Sequence, residues 1–126
     1  MAINPVTRPP ELRFETEKKT SETTLRAMGR ITVTSNALLE QALRDLIAEG
    51  KQILLDLTEV EYVDSAGLGA LVSVYMHARR ANCPLKIVNP KQRIRDLFER
   101  SRLSSVFEGD SFDVLWNAWS GGSVIK

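Results

Sequence analysis

Hydrophobic and polar positions alternate in the first part of the chain. The alternation over residues 12–17 predicts a half-exposed strand, and the polar residues 18–22 predict a turn. Residues 23–33 predict a second strand that carries Gly29 near its end. Because the two strands are so close in the sequence, we expect them to form an antiparallel hairpin.

The apolar spacing then lengthens to three and four residues over 36–49, which predicts a helix that ends before Gly50. The apolar stripe of this helix consists of Leu39, Ala42, Leu43, Leu46 and Ile47. Residues 53–57 are almost continuously apolar and predict a central strand covered on both faces. A second helix is predicted over 67–81, and a further strand over 84–88.

The last third of the chain predicts two more helices. Asn89 and Pro90 suit the N-cap and first position of a third helix, which is expected to bury Ile94, Leu97 and Phe98. Residues 106–107 predict a short edge strand. A final amphipathic helix carries Phe112, Leu115, Trp116 and Trp119, an aromatic stripe that packs on the sheet or on a partner.

Strands that alternate with helices after an opening hairpin predict an α/β fold. We expect a single domain over residues 11–120, with a mixed sheet of four to five strands and about four helices. Residues 1–10 contain three prolines and predict a flexible N-terminal arm, and residues 121–126 predict a C-terminal tail.

The amino-acid composition argues against some classes of function and leaves others open. The 126 residues are 43% hydrophobic and 26% charged, the usual globular mixture, and the net charge is only +1. This balance argues against direct binding of nucleic acid, which normally requires a clear basic excess. No apolar run approaches the length of a membrane helix and no signal peptide is evident, so we expect a cytoplasmic protein without a membrane segment. The single cysteine, Cys83, is expected to be a small packed residue.

The segment 60–69, Val-Glu-Tyr-Val-Asp-Ser-Ala-Gly-Leu-Gly, is the best candidate for function. It places Asp64 and Ser65 where a strand gives way to a helix, with two glycines where backbone must pass close to a neighbour. Ser65 falls where a hydroxyl can cap the helix, near the positive end of the helix dipole. Such a hydroxyl is suited to carry a phosphate, although a plain helix cap would have the same sequence.

The spacing of residues in this segment does not match known catalytic motifs. A nucleophile elbow requires glycine where the chain has Val63, and the only histidine, His77, lies twelve residues after Ser65, about 18 Å along one helix. Gly67 and Gly69 do not complete a nucleotide-binding pattern. The carboxylates nearby match no metal motif and are expected to form a solvated acidic rim; they are Asp56, Glu59, Glu61 and Asp64. The sequence therefore predicts neither an enzyme nor a cofactor nor a metal site.

The apolar run 53–57 followed by Val-Asp-Ser-Ala-Gly-Leu-Gly at 63–69 resembles the STAS domain of sulphate transporters and anti-sigma factor antagonists. Residues 29–31, 85–90 and 97–107 agree with the same family. The resemblance implies that Ser65 is a phosphorylation site and that the partner-binding residues are Asp64, Ser65, Ala66, Gly67, Leu68 and Arg30.

The resemblance further implies a partner switch. The unphosphorylated protein is expected to bind an anti-sigma factor that is also a serine kinase, and so to release a sigma factor. The kinase would then phosphorylate Ser65, and a serine phosphatase would reset the antagonist.

Two departures from the family pattern keep other functions open. Ala66 stands where many phosphorylated members have a second hydroxyl residue, and Thr32 stands where antagonists commonly have an aspartate. One alternative is a constitutive STAS subunit of a stress-signalling scaffold or a lipid-transport complex. Another is an enzyme or a binder of a small ligand at the Asp64 loop.

At Gly67 we expect either a positive φ or a close contact with a neighbour. We therefore expect that Gly67→Val abolishes binding or destabilises the domain.

Overall fold

The computed structural model describes residues 11–100. The predicted N-terminal arm, edge strand 106–107, final aromatic helix and C-terminal tail lie outside the described residues. Within 11–100 the chain forms four strands and three helices, in the order β1 (Leu12–Lys18), β2 (Glu22–Ile31), α1 (Asn36–Glu49), β3 (Gln52–Val63), α2 (Ser65–Arg80), β4 (Leu85–Val88) and α3 (Gln92–Arg100).

The strands form one mixed sheet in the order β1-β2-β3-β4. β1 and β2 pair antiparallel, with Leu12 opposite Gly29, so the predicted opening hairpin is confirmed. β2 pairs parallel with β3, and β3 parallel with β4. The α/β class and the mixed sheet are also confirmed.

Helix α1 occupies the predicted residues. Gly50 follows it with φ 83°, and its N–H donates to the Ile47 carbonyl. This left-handed conformation is accessible to glycine without steric cost, which is why the helix ends there.

One core joins the sheet to the helices. The central strand β3 contributes Ile53, Leu55 and Leu57, all fully buried, and α1 and α2 contact each other over it. The two helices supply Leu39, Leu43, Leu71 and Val74 among others, and α3 adds Ile94 and Phe98. Burial of this size accounts for most of the stability of the fold.

Several predicted boundaries are wrong. Helix α2 begins at Ser65 and not at residue 67, and β2 ends at Ile31 and not at residue 33. Strand β3 runs to Val63, because residues 60–63 continue the parallel pairing with β2 despite two register shifts, each of which leaves one extra residue in β3. Helix α3 begins at Gln92, because Asn89 has φ 57° and cannot serve as an extended N-cap. The longer β3 carries the chain directly to the start of α2, and so fixes where Asp64 and Ser65 lie.

Candidate functional site at the start of helix α2

The carboxylate of Asp64 joins two segments at this site. Oδ1 accepts a hydrogen bond from the Gly67 N–H at 2.7 Å and thereby caps α2. Oδ2 accepts from the Val33 N–H at 3.1 Å, in the loop between β2 and α1. The sequence placed the cap at Ser65, and this is wrong: Asp64 is the N-cap, so Ser65 is the first helical residue and its side chain is exposed.

Gly67 is the point of closest approach between α2 and β2. A Cβ built there would lie 2.1 Å from the Ile31 carbonyl oxygen. The same oxygen accepts a hydrogen bond from the Asp64 N–H at 3.2 Å. Gly67 does not have a positive φ, so of the two reasons expected for a glycine here only the close contact applies.

The loop between β2 and α1 is held from both ends. Ser35 Oγ donates to the Arg30 carbonyl and accepts from the Thr32 N–H. Glu11 accepts hydrogen bonds from the hydroxyls of Thr32 and Thr34. These bonds, first that from Thr34 and then that from Thr32, lower the pKa of Glu11, and the charge of Arg30 acts in the same direction. The loop next to Ser65 is therefore a fixed surface.

Three large apolar side chains are exposed on elements that meet near Ser65. Val33 is 68% exposed, Leu38 is 53% exposed and Tyr62 is 43% exposed, and these are the large exposed apolar residues among those described. Val33 is tied to Asp64, and Asn36 at the start of α1 donates to the Ala66 carbonyl at 3.5 Å. Leu38 follows Asn36 by two residues and Tyr62 precedes Ser65 by three, so we group the exposed residues Ser65, Val33, Leu38 and Tyr62 under the name Ser65 face.

The predicted partner-binding residues separate into two groups. Ser65 and Arg30 are exposed, and Asp64 and Ala66 are half-buried. Gly67 and Leu68 are buried and support the Ser65 face from beneath. Arg30 lies on β2 beside Tyr62 of β3, with its guanidinium carbon 5.0 Å from the ring centroid, the geometry of a cation–π contact.

Sequence reasoning missed Val33, Leu38 and Tyr62. The sequence carried a signal for each of them. Val33 is an apolar residue between two threonines, and Leu38 falls outside the apolar stripe of α1. Val60 and Tyr62 alternate with Glu59 and Glu61, a pattern that is typical of a strand and was not recognised as one.

Other candidate chemistry lies away from this face or has a structural role. The prediction of a solvated acidic rim is wrong for Asp56, which is buried and accepts hydrogen bonds from Thr58 and Arg26. Cys83 is buried, its thiol donates to the Lys51 carbonyl, and burial raises the pKa of the thiol.

Between residues 11 and 100 there is no cluster of three or more His, Cys, Asp or Glu side chains that could hold a metal ion. None of the three described helices has the length and hydropathy needed to cross a membrane.

Comparison with known sequences identifies the family. A family model described as "Mlab, STAS domain" matches residues 14–108. The anti-sigma-B factor antagonist of Bacillus subtilis is 30% identical over 80 residues, which cover 64% of this chain and 73% of that protein. The corresponding protein of Listeria monocytogenes is 37% identical over 62 residues, or 49% of this chain, and the match spans only about half of the relative's length, 54%. The chain belongs to the STAS-domain family.

Solved structures show the same fold. An anti-sigma factor antagonist from Mycobacterium paratuberculosis superimposes with a TM-score of 0.68 at 21% identity, covering 89% of this chain and 97% of the other. The phosphorylated form of SpoIIAA, a Bacillus cell fate determinant, superimposes with a TM-score of 0.57 at 18% identity, covering 71% of this chain and 83% of the other. These likenesses confirm the predicted STAS-like architecture.

Proposed function

We propose that this protein is an anti-sigma factor antagonist whose binding to an anti-sigma factor is controlled by phosphorylation of Ser65. The observation that carries the proposal is the position of Ser65, exposed at the first residue of α2 beside the rigid Asp64 cap. The exposed apolar residues of the Ser65 face suit a protein partner. The names of the relatives in Bacillus subtilis and Listeria monocytogenes support the choice of an anti-sigma factor as that partner.

The start of α2 tolerates a phosphate without refolding. Helix N-terminal N–H groups and the positive end of the helix dipole favour an anion at this position. Asp64 keeps its two hydrogen bonds to backbone groups, so the loop and the helix start stay in place when Ser65 is modified.

A phosphate changes the surface strongly. It adds about −1.5 to −2 charge at neutral pH to a surface made mainly of apolar side chains. A partner that buries Ser65 must then desolvate this charge or place it beside its own groups, and repulsion between like charges costs several kcal/mol. We therefore propose that the phosphorylated protein releases its partner.

The full cycle has three participants in this proposal. The anti-sigma factor is a serine kinase that binds the unphosphorylated protein and so releases its sigma factor. The kinase transfers phosphate to the Ser65 hydroxyl, and a serine phosphatase hydrolyses the phosphoserine to reset the cycle. This chain supplies the acceptor hydroxyl and the docking surface, so it is a substrate of both enzymes and not itself an enzyme.

The test compares the same serine-to-aspartate substitution at two positions of helix α2. Ser65→Asp introduces charge on the Ser65 face, whereas Ser73→Asp introduces the same charge at an exposed position two turns further along α2. Isothermal titration calorimetry is carried out with each serine-kinase anti-sigma factor encoded in the same genome. We expect Ser65→Asp to weaken binding at least ~10-fold and Ser73→Asp to change it by less than about 2-fold.

Thermal unfolding of the same variants separates binding from folding. Both variants should unfold within a few degrees of the wild type, because surface substitutions change stability by about 0.5 kcal/mol or less. Equal binding by the wild type and Ser65→Asp would contradict the proposal.

A second candidate function is a constitutive STAS subunit of a signalling scaffold or a lipid-transport complex. Two observations favour it: the family model carries the description Mlab and not that of an antagonist, and Ala66 replaces a hydroxyl residue after Ser65. Affinity purification of the tagged protein from its native cells distinguishes the two functions. A stable assembly with a transporter ATPase or a large scaffold, recovered equally with Ser65→Ala and Ser65→Asp, would favour the constitutive subunit.

A further inference from the structure

A cleft lies beside the Ser65 face, between the end of β3 and helix α3. Its walls are formed by Tyr62 and Val63 of β3 and by Arg93, Ile94, Leu97 and Arg100 of α3. Arg93 is anchored there, with its Nη1 donating to the Glu61 carbonyl at 3.5 Å.

The size of the cleft limits what it can hold. Its volume is about 200 Å³, below the ~300–1,000 Å³ that is typical of small-molecule and cofactor pockets. A nucleotide is therefore too large for the cleft, whereas a single large side chain fits it. Pockets that receive one anchor side chain from a partner are common at the centres of protein interfaces.

The walls combine an apolar floor with a basic rim. Val63 and Ile94 are buried and Leu97 is half-buried, so the floor is apolar. Arg93 and Arg100 are exposed at the rim, and none of the described residues that line the cleft is a carboxylate. Chemically, this arrangement suits an apolar side chain with carboxylates beside it in the sequence.

Charged groups of both signs lie near this rim, but Arg93 and Arg100 are the charged side chains among the described residues that line the cleft. Arg30 stacks on the Tyr62 ring, although its charge is partly offset by Glu11 at 3.7 Å. On α3, Asp96 accepts a hydrogen bond from Gln92, and Glu99 is exposed next to Arg100. Glu61 is exposed on β3, and the group that accepts from Arg93 is its backbone carbonyl.

The cleft is continuous with the Ser65 face. Tyr62 belongs to both, and Val63 precedes Ser65 by two residues, so their Cα atoms lie within about 7 Å of each other. One partner surface of ordinary size, roughly 800 Å², covers both features.

We propose that this cleft is the anchor pocket for the partner of the Ser65 face, and that it receives one large apolar side chain from an acidic segment of that partner. The proposal rests on the proposed function and extends it, because it gives the partner a chemistry and a second point of contact. It also gives the phosphate a second effect. A phosphate on Ser65 competes with the acidic segment for the nearby arginines, in addition to repelling it.

Charge reversal at the rim tests the basic part of the proposal. Arg93→Glu and Arg100→Glu are compared with Arg80→Glu, which makes the same charge change at the exposed far end of α2. Binding is measured by calorimetry with the anti-sigma factor that binds the wild type, at 50 and 300 mM NaCl. We expect each rim variant to weaken binding at least ~10-fold at low salt, with a smaller dependence on salt, and Arg80→Glu to bind within about 2-fold of the wild type.

Methyl NMR tests the apolar part without any substitution. The methyl signals of Val63, Ile94 and Leu97 should shift when the unlabelled anti-sigma factor is added and show intermolecular contacts with one of its side chains. Unchanged methyl signals, or rim variants that bind like the wild type, would overturn the proposal. So would saturable shifts of these methyls on addition of ATP alone, because they would make the cleft a nucleotide site.

The outcomes separate this proposal from the proposed function. If Ser65→Asp releases the anti-sigma factor while the rim variants retain it, the antagonist function stands and the anchor pocket is wrong. If Ser65→Asp and the wild type bind equally, the switch itself is wrong, whatever the rim variants do.

Discussion

Asp64 is the residue on which the geometry of the site depends. Its two oxygens satisfy one N–H at the start of α2 and one in the loop after β2. This arrangement holds Ser65 beside Val33 without using the serine hydroxyl for capping. The proposed modification site and the structural cap are thus adjacent but separate residues, so Ser65 can gain charge while the cap is retained.

Gly67 and Gly69 allow a matched test of the close approach of α2 to β2. A Cβ at Gly67 collides with the Ile31 carbonyl, whereas a Cβ at Gly69 meets nothing within 4 Å. We expect Gly67→Ala to destabilise the domain by about 1–3 kcal/mol through forced backbone movement. Gly69→Ala should stabilise it by roughly 0.5–1 kcal/mol, because alanine is the better helix former.

Urea denaturation of both variants measures these free energies of unfolding. If Gly67→Ala and Gly69→Ala changed the free energy of unfolding equally, the close contact between α2 and β2 would not be the reason for a glycine at position 67. The bulkier Gly67→Val should be at least as destabilising as Gly67→Ala.

At the residue scale, the sequence pointed to a candidate site but not to the contacts that the structure shows there. Asp64 and Ser65 stand out because a polar pair and two glycines follow an apolar strand. The bonds from Val33 to Asp64 and from Thr32 to Glu11 join residues 31 and 21 positions apart. No local pattern encodes such contacts, so they became visible only once the sheet had placed β1, β2 and β3 side by side.

At the scale of elements, periodicity predicted α1 well and β3 poorly. The stripe of α1 is regular and is closed by Gly50, and both signals are local. The second half of β3 exposes Glu59, Glu61 and Tyr62, and the two extra residues at the register shifts with β2 interrupt the alternation of β3 itself. The start of α3 was misplaced because an Asn-Pro pair also suits a turn, and Asn89 adopts the left-handed conformation.

A row of charges crosses the first three strands: Glu15, Arg26 and Asp56 lie opposite one another on β1, β2 and β3. Arg26 contacts Glu15 at 3.4 Å and Asp56 at 3.3 Å. Burial alone would raise the pKa of Asp56. The two hydrogen bonds from Thr58 and the one from Arg26 outweigh it, so the pKa is lowered from 3.8.

This shift predicts a dependence of stability on pH. Because the folded pKa of Asp56 is below the unfolded value, its contribution is present above about pH 4 and is lost as the pH falls through the folded pKa. Asp56→Asn should therefore cost on the order of 1 kcal/mol at pH 7 and less at pH 3. Urea denaturation at both pH values measures the difference.

Glu15→Gln is the control for this prediction, since it removes the exposed partner of the same arginine. Exposed ion pairs contribute little, so its effect should be small at pH 7. If the difference between Asp56→Asn and the wild type were the same at pH 3 as at pH 7, the ionised carboxylate would not be what stabilises the strands.

At the scale of the whole molecule, the parallel order of β2, β3 and β4 brings the features of the candidate site to one end of the sheet. β3 ends at Val63, where α2 begins, and the loop from β2 to α1 lies beside it. Ligand sites in sheets of this kind are characteristically found at the carboxyl ends of the strands. In this protein the Ser65 face lies at the carboxyl ends of the strands, and its exposed apolar side chains suit a protein partner.

The central claim is that Ser65 is a condition-dependent phosphorylation site. Its most direct test is phosphopeptide mapping of the protein from its native cells, in growth and under stress. The tryptic peptide 52–79 carries both Ser65 and Ser73, so the second serine is an internal control. We expect phosphate on Ser65, none on Ser73, and an occupancy that changes between the two conditions. An unmodified Ser65 in every condition, with full coverage of the peptide, would contradict the switch and favour the constitutive subunit.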